Sequence, residues 1–473
     1  MNTQLCVIGG GPGGYAAAFR AADLGMQVTL VDQEPRLGGT CLLRGCIPSK
    51  ALLHVAKTVA DAGHLVEWGV AFSKPTIDVG VLRARKEKLV ATLTGGLKML
   101  AAKRNVTVVQ AKASFDDSRT IRLVPIAGSQ LPDDRIVFEN CILATGSSPT
   151  RIPLFDLSTH RVMDSTGALS LPDVPKSLLV IGGGYIGLEL GTIYASLGSR
   201  VTVVEMTDGL LPNADRDLVR PLQKRLAGVF QNIHLNTRVV ALVDKGDGVE
   251  ATFDGNLPEK TAQFSRVLVC VGRKPNTAGL GLEETNVRID ERGFIVVDQQ
   301  RRTNDSHIWA IGDVVGDPML AHKASHEGKV AVEAIAGSSA TFSPLAIPAV
   351  VFTDPEIAWA GITETEARSR NLPVDVSQFP WAANGRAHAV GHTDGMTKWL
   401  IDPRNQQVIG CGIVGSGAGD LIAEAVIAIE QKATIRQVAE VIHQHPTLGE
   451  TLGGAAEMYF GSATDFYRPK RST

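Results

Sequence analysis

The sequence predicts an α/β protein in which two copies of one strand, turn, helix and strand unit precede a separate α+β segment. Three observations carry this: a repeated glycine-rich turn, short apolar runs that stop at glycine, and a change of pattern near residue 344. In the first copy Leu5-Cys6-Val7-Ile8 leads into Gly9-Gly10-Gly11-Pro12-Gly13-Gly14, an Ala-rich helical stretch, and the strand Val28 to Val31, ending at Asp32. In the second, Leu178-Leu179-Val180-Ile181 leads into Gly182-Gly183-Gly184-Tyr185-Ile186-Gly187, a helical stretch to Leu197, and Val201 to Val204, ending at Glu205. The spacing from first glycine to acid is identical in the two copies.

Each glycine of such a turn has a distinct task. The first (Gly9, Gly182) makes the tight turn, the second (Gly11, Gly184) lets backbone approach a pyrophosphate, and the third (Gly14, Gly187) lets helix and strand pack closely. Phosphate then meets the unpaired N–H groups and positive dipole end of the helix. One such turn is weak evidence, but two in the same context with matched acids predict two Rossmann-like dinucleotide units. Asp32 is placed to bind the ribose hydroxyls in the first, with Glu34 a less well-placed substitute. Glu205 takes that role in the second, and its carboxylate would repel the 2′-phosphate of NADP. Met206, Thr207 and Asp208 follow with no arginine to accept that phosphate, so NAD is expected over NADP.

The later elements follow in order. Cys141-Ile142-Leu143-Ala144-Thr145-Gly146-Ser147 and Val267 to Pro275 read as buried strands stopped by turns, and both mark crossings between domains. Ile308 to Ile311 is a further strand, ending at Gly312-Asp313, before a helix from about Ala321 to Ala336. Beyond about Pro344, Val350 to Phe352, Lys398 to Ile401 and Gln407 to Val414 read as antiparallel strands, with helices at Asp420 to Glu430 and Thr434 to Val441.

At 473 residues the chain exceeds a single core, and 44% hydrophobic with 20% charged residues is an ordinary globular composition. Forty-seven basic against 49 acidic residues leave a formal charge of −2, with no field to hold nucleic acid or an anionic membrane. No apolar run reaches the ~18 to 20 residues needed to span a bilayer, and the N-terminus lacks signal-peptide features. A cytoplasmic chain starting at Met1, with a small-molecule partner, is expected.

Six cysteines do not form a secreted framework. Cys6, Cys141, Cys270 and Cys411 lie in apolar runs and read as small buried hydrophobes. Cys41 and Cys46 lie instead in Gly38-Gly39-Thr40-Cys41-Leu42-Leu43-Arg44-Gly45-Cys46-Ile47-Pro48-Ser49-Lys50. In one ideal helix they would stand about 140° apart around the axis, beyond comfortable disulfide reach, so bonding requires a distorted segment. Gly45 and Pro48 allow one. A zinc site lacks the other ligands at suitable spacing, and no metal is expected. Spacing alone still leaves a metal or plain core reading open.

Taken together, Gly38 to Lys50, both glycine turns, Ala144-Thr145-Gly146, Ala310-Ile311-Gly312-Asp313 and His443-Gln444-His445-Pro446-Thr447 closely resemble the pyridine nucleotide-disulfide oxidoreductases, in the branch that oxidises dihydrolipoamide. The resemblance covers essentially the whole chain. It implies an FAD-binding domain in 1–147 and 276–343, an NAD-binding domain in 148–275, and a dimerisation domain in 344–473. It further implies a redox disulfide in which Cys46 faces FAD and Cys41 the substrate. Lys50 would contact the flavin and pair with Glu189; Gly39, Thr40, Ala113, Thr145, Gly146, Asp313, Ala321 and His322 would line the FAD site. Tyr185, Ile186, Glu189, Val239 and Gly272 would line the NAD site. His445, from the other subunit of a homodimer, would be the acid/base, oriented by Glu450. The substrate would be dihydrolipoamide on a lipoyl domain or acyltransferase subunit of a 2-oxoacid dehydrogenase or glycine-cleavage complex.

Plainer readings accompany several of these residues. Thr447-Leu448-Gly449-Glu450 has the form of a helix capping box, with Glu450 merely completing it. A related flavoprotein reductase for glutathione, trypanothione or mercuric ion is the alternative enzyme. The tail Asp465 to Thr473 has no cysteine pair and no metal-binding domain precedes the first unit, which count against mercuric reductase. A flavoprotein acting only as a binding subunit is the non-catalytic alternative. Leu43-Arg44 stands where the family commonly has Asn-Val, and a cation at Arg44 near Cys46 would favour the thiolate.

Overall fold

A computed structural model describes residues 1–126, 128–131 and 133–467; positions 468–473 of the tail lie outside the described residues. The repeated pattern folds as its periodicity requires. The apolar strand β1 (Asn2–Ile8) runs into the helix α1 (Pro12–Asp23) and then β2 (Val28–Asp32), which pairs parallel to β1. The short α2 (Gly39–Arg44) follows, then two longer helices, α3 (Cys46–His64) and α4 (Val79–Lys103). Strand β3 (Thr107–Asp117) adds beside β2, β4 (Thr120–Pro125) turns back antiparallel, and β5 (Arg135–Leu143) returns to the far side of β1.

The sheet is completed much later. Ile308–Ala310 lies parallel to the C-terminal end of β5, pairing with Cys141, Ile142 and Leu143. In between, the chain builds a second five-stranded sheet from Asn232–His234, Arg200–Val204, Ser177–Ile181, Arg266–Val269 and Val162–Met163, all parallel. A three-stranded antiparallel sheet (Arg238–Asp244, Val249–Asp254, Thr261–Phe264) packs on it through Phe253 and Phe264. Strands with both faces covered read as continuous apolar runs, which is why Leu178 to Val180 and Val267 to Leu268 are wholly buried.

From Ala349 the chain forms an antiparallel five-stranded sheet, Ala349–Val351, Glu356–Gly361, Val408–Gly415, Met396–Ile401 and Asp375–Pro380 in spatial order. The helices Ala418–Glu430, Ile435–Ala439 and Glu450–Phe460 accompany it, over a core that includes Trp381 and Trp399. Trp399 donates its indole N–H to Leu452 O (3.0 Å), and Trp381 donates to Thr397 Oγ1 (3.0 Å), so both buried rings are satisfied.

A buried ion cluster joins the second unit to this last sheet. The ammonium of Lys398, with no exposed side-chain surface, meets Asp215 (2.9 Å), Asp217 (2.8 Å) and Glu364 (2.6 Å). No described helix is long and apolar enough to cross a membrane. Of the four cysteines read as core residues, Cys6, Cys141 and Cys411 are buried, while Cys270 is only partly so, because it ends a strand beside the Gly182 turn.

Candidate redox-active site

Two helices rather than one carry the cysteine segment. Cys41 lies in α2, Cys46 opens α3, and Gly45 between them adopts φ −144°, ψ −113°. A Cβ on Gly45 would stand 2.8 Å from Thr40 O, so a side chain there would push the two helices apart. The break removes the angular separation that a single helix would impose. Both cysteines are thiols here, hydrogen-bonded to one another. The bond from Cys41, against burial and with the nearby Lys50 charge, pulls Cys46 down to about 7. The same bond, then burial, pushes Cys41 well up. Both shifts favour the charge on Cys46 and the proton on Cys41.

Lys50, one turn beyond Cys46, reaches Glu189 Oε2 at 2.8 Å across 139 residues. Glu189 is nearly buried, with 4% of its side chain exposed, and its other oxygen accepts from Phe352 N (3.0 Å). The Lys50 ammonium also sits 4.5 Å from the centre of the Phe352 ring. One ion pair thus fastens the redox helix to the second glycine helix and to the edge of the C-terminal sheet.

The thiols border a cavity of about 640 Å³ that runs from the first glycine turn to Tyr185, Ile186 and Glu189. Its wall includes Gly9, Gly11, Asp32, Gly39, Thr40, Ala113, Thr145, Gly146, Asp313 and Ala321. The residues suit a dinucleotide. Helix α1 has Gly11 as its N-cap with no side-chain bond and opens on Pro12, so the N–H groups of Gly13 and Gly14 have no side-chain partner, and Gly13 lines the cavity. A Cβ on Gly39 would stand 2.6 Å from Gly11 Cα, and one on Gly14 would collide with Gly9 O, so bare backbone is required here. Asp32 accepts from Gly10 N and from Glu34 N (2.8 Å), and its burial raises its pKa.

The second turn repeats this geometry. Glu205 accepts from Gly183 N (2.7 Å) and from Thr207 N and Oγ1 (both 2.8 Å). A Cβ on Gly187 would collide with Gly182 O, whereas one on Gly184 would meet nothing within 4 Å. Val239 is buried against the strand that ends at Val204, and Gly272 turns with φ +115° after Arg266–Val269.

Three expectations need correction. His322 is exposed, points to Pro348 O (2.8 Å), and does not line the cavity, because the start of its helix turns it toward the C-terminal segment. Arg44 does not approach Cys46: the break at Gly45 ends α2, and its guanidinium pairs with Glu34 at 2.7 Å. Only half of a capping box forms at Thr447: Glu450 accepts from its N–H, but its hydroxyl donates to Gln444 O (2.9 Å) instead of capping the helix.

Glu450 works with both oxygens. One accepts from Thr447 N (2.7 Å) and the other meets His445 Nδ1 (2.8 Å). Against its partial burial, these contacts hold its carboxyl below the usual range. The His445 side chain is 77% exposed and lies outside the cavity of its own chain. His443, by contrast, is turned inward onto Glu424 (2.8 Å).

The structure also places residues that sequence reasoning missed. Asn276 ties the cavity wall together: its amide donates to Thr145 O (2.9 Å), and it accepts from Ser148 Oγ (2.8 Å) and Thr145 Oγ1 (2.7 Å). Ser147 donates to Asp313 and accepts from Arg273 Nε (2.7 Å). The signal available was their position directly beside the two strand stops that mark crossings.

Two dinucleotide units and a paired thiol at the wall of the first define a pyridine-nucleotide-linked disulfide oxidoreductase. Residues 3–328 match the model of the pyridine nucleotide-disulphide oxidoreductase family, and 347–456 match its dimerisation domain. The chain belongs to that family, one of FAD-dependent, NAD-linked oxidoreductases acting on sulfur groups. It is 47% identical to dihydrolipoyl dehydrogenase of Haemophilus influenzae over 99% of this chain and 98% of that one. It is also 45% identical to dihydrolipoyl dehydrogenase of Geobacillus stearothermophilus, over 98% and 97%. Among solved structures it resembles LpdA from Mycobacterium tuberculosis (TM-score 0.89, 28% identity, 96% and 99% covered). It likewise resembles the HOCl-induced flavoprotein disulfide reductase RclA from Escherichia coli (TM-score 0.85, 27% identity, 97% and 99% covered).

Proposed function

We propose that the protein oxidises dihydrolipoamide to lipoamide with NAD⁺ as acceptor, through a Cys41–Cys46 disulfide. The observation that carries this reading is the pair of neighbouring thiols, Cys41 and Cys46, set on two helices at the wall of the cavity that the first glycine turn opens. Relatives named dihydrolipoyl dehydrogenase, matched along nearly their whole length, favour this substrate over other disulfides.

In the reaction proposed, one substrate thiolate attacks Cys41 Sγ of the disulfide; the Cys41–Cys46 bond breaks and Cys46 leaves as thiolate. The second substrate thiol loses its proton to the partner subunit's His445. Its sulfur attacks the substrate sulfur bonded to Cys41, closing lipoamide and releasing Cys41, which is reprotonated. Substrate dithiol is thereby oxidised and the protein disulfide reduced, by two electrons. FAD, when bound in the cavity, would supply the two-electron redox chemistry that links the thiol pair to NAD⁺. Cys46 stays unprotonated, and Lys50 with Glu189 fixes the helix that carries it. Glu450 orients His445 and stabilises its protonated form.

On this reading FAD is held by residues of 1–147 and 276–343: the Gly9, Gly11 and Gly14 turn, Asp32, Gly39, Thr40, Lys50, Ala113, Thr145, Gly146, Asp313 and Ala321. NAD is held in 148–275 by the Gly182, Gly184 and Gly187 turn, Tyr185, Ile186, Glu189, Glu205, Val239 and Gly272. The matched dimerisation domain and the exposure of His445 favour a homodimer, formed through 344–473, in which each site takes its histidine from the other chain. The lipoyl group would arrive on a lipoyl domain or acyltransferase subunit. The cytoplasm, where free thiols persist, suits the four cysteines outside the redox pair, Cys6, Cys141, Cys270 and Cys411.

Steady-state rates with dihydrolipoamide, oxidised glutathione and Hg²⁺, each with NAD(H) and NADP(H), test the assignment. Dihydrolipoamide with NAD⁺ should be fastest; a faster rate with either other substrate would move the enzyme to a different branch of the family.

A further inference from the structure

We propose that the Glu34–Arg44 ion pair is a latch on the nucleotide end of the cavity, which retains the dinucleotide bound there. The inference rests on the reading that this cavity holds FAD. Its starting point is that Arg44, at the end of α2, and Glu34, just beyond β2, come from different elements, line one cavity together, and meet at 2.7 Å.

Charge makes the pair more than a surface bridge. Asp32 and Glu34 set two carboxylates side by side, and Glu34 repels Asp32 while Arg44 offsets that repulsion. A bound pyrophosphate would add negative charge to the same end. Of the other cations on the cavity wall, Lys50 is committed to Glu189 and Arg273 to Ser147, and Lys112, on β3, has no side-chain partner among the described residues. Arg44 has no described protein partner besides Glu34, so its remaining N–H groups are available to an anion in the cavity. Both side chains are about one third exposed, 33% for Arg44 and 28% for Glu34, so the pair is solvated enough to open and dry enough to matter. When it opens, α2 is no longer tied to the β2 end, and the wall that confines the dinucleotide is released.

The test is the rate of flavin release from purified holoprotein, followed as the rise in free-flavin fluorescence after dilution, at low and high salt. Arg44→Val should release flavin about tenfold faster at low salt, and Arg44→Glu faster still, because it repels Glu34. The charge-swapped pair Glu34→Arg with Arg44→Glu should recover most of the loss. The advantage of the native pair should shrink as salt rises to ~1 M, where screening acts within about 3 Å. Release from Arg44→Val within twofold of the native rate, or a charge swap no slower than Arg44→Glu, would overturn the latch. A native protein that carries no flavin would instead overturn the reading on which it rests. The Cys46 alkylation profile should be the same in Arg44→Val as in the native protein, since Arg44 turns away from that thiol; a displaced profile would return Arg44 to the thiolate and sink the latch.

Discussion

At the scale of single residues, the division of charge between two sulfurs is the feature on which the proposed chemistry turns. The thiolate is the reactive form, so alkylation of reduced Cys46 should rise with pH through about 7 and be half-maximal there. Because the hydrogen bond from Cys41 is the largest influence, Cys41→Ala should move that midpoint upward by about one pH unit or more, the order expected on losing a strong hydrogen bond to the charged form. Removing the proposed acid/base by His445→Gln should lower the dihydrolipoamide rate by about 10² to 10⁴ while flavin content is unchanged. An unaltered rate would remove His445 from the mechanism. These residues were unequally legible. Cys41 and Cys46 announced themselves by their glycine-flanked setting, but the choice of His445 over His443 came only from a family motif, and the difference in their exposure appears only once the chain is folded. Arg44 was misread because only Gly45 separates it from Cys46 in sequence, yet Gly45 turns the chain and sends the two side chains to different partners.

At the scale of elements, the two glycine turns separate packing from binding. Gly184 has extended backbone (φ −76°, ψ 174°) and open space around its missing Cβ, while Gly187 lies against the carbonyl of Gly182. Gly184→Ala should therefore fold with stability within about 1 kcal/mol of native, yet bind NAD⁺ much more weakly. Gly187→Ala should lower stability by about 2 kcal/mol or more, the cost of overpacking a strand–helix contact. Thermal unfolding and NAD⁺ titration of the two variants check both, and equal behaviour would contradict the division. Glu205→Ala combined with Met206→Arg should raise NADPH use. Strands β1 and β2 and their counterparts were readable from apolar runs alone, since burial on both faces leaves little polar residue in them. Strands Glu356–Gly361 and Asp375–Pro380 went unread because Pro355, Gln378 and Pro380 interrupt the pattern. The helix expected over Thr434 to Val441 is real but shorter, Ile435–Ala439, and it does begin with a capping box, between Thr434 and Gln437.

At the scale of the whole molecule, ion pairs between distant segments hold the units in register. Lys398 is the strongest case: a buried ammonium whose pKa, despite desolvation, is raised by three carboxylates. Lys398→Met would strand Asp215, Asp217 and Glu364 together, and should cost about 3 to 5 kcal/mol, measured as a fall in unfolding midpoint. None of this was legible beforehand, because charges separated by 181 residues, as Lys398 and Asp217 are, carry no mutual signal in a single sequence. Lys50 and Glu189 were matched only through the family resemblance for the same reason. The dimeric reading has its own test. Reassociating Cys46→Ser with His445→Gln subunits in equal amounts should restore roughly a quarter of native activity, since half the dimers would be mixed and each would own one intact site. No recovery would mean that each chain completes its own site.

The return of the chain to its first sheet bears on how the protein is made. The end of β5 waits for a partner, Ile308–Ala310, that lies about 165 residues further on. At ribosomal speeds of roughly 5 to 20 residues per second, that edge stays open for on the order of 10 to 30 s after it emerges. A nascent chain stalled before Ile308 would expose Cys141, Ile142 and Leu143, which are wholly covered in the finished protein. Birth of this enzyme is thus paced by translation, and its demand for chaperones should be greatest while the second unit is still being synthesised.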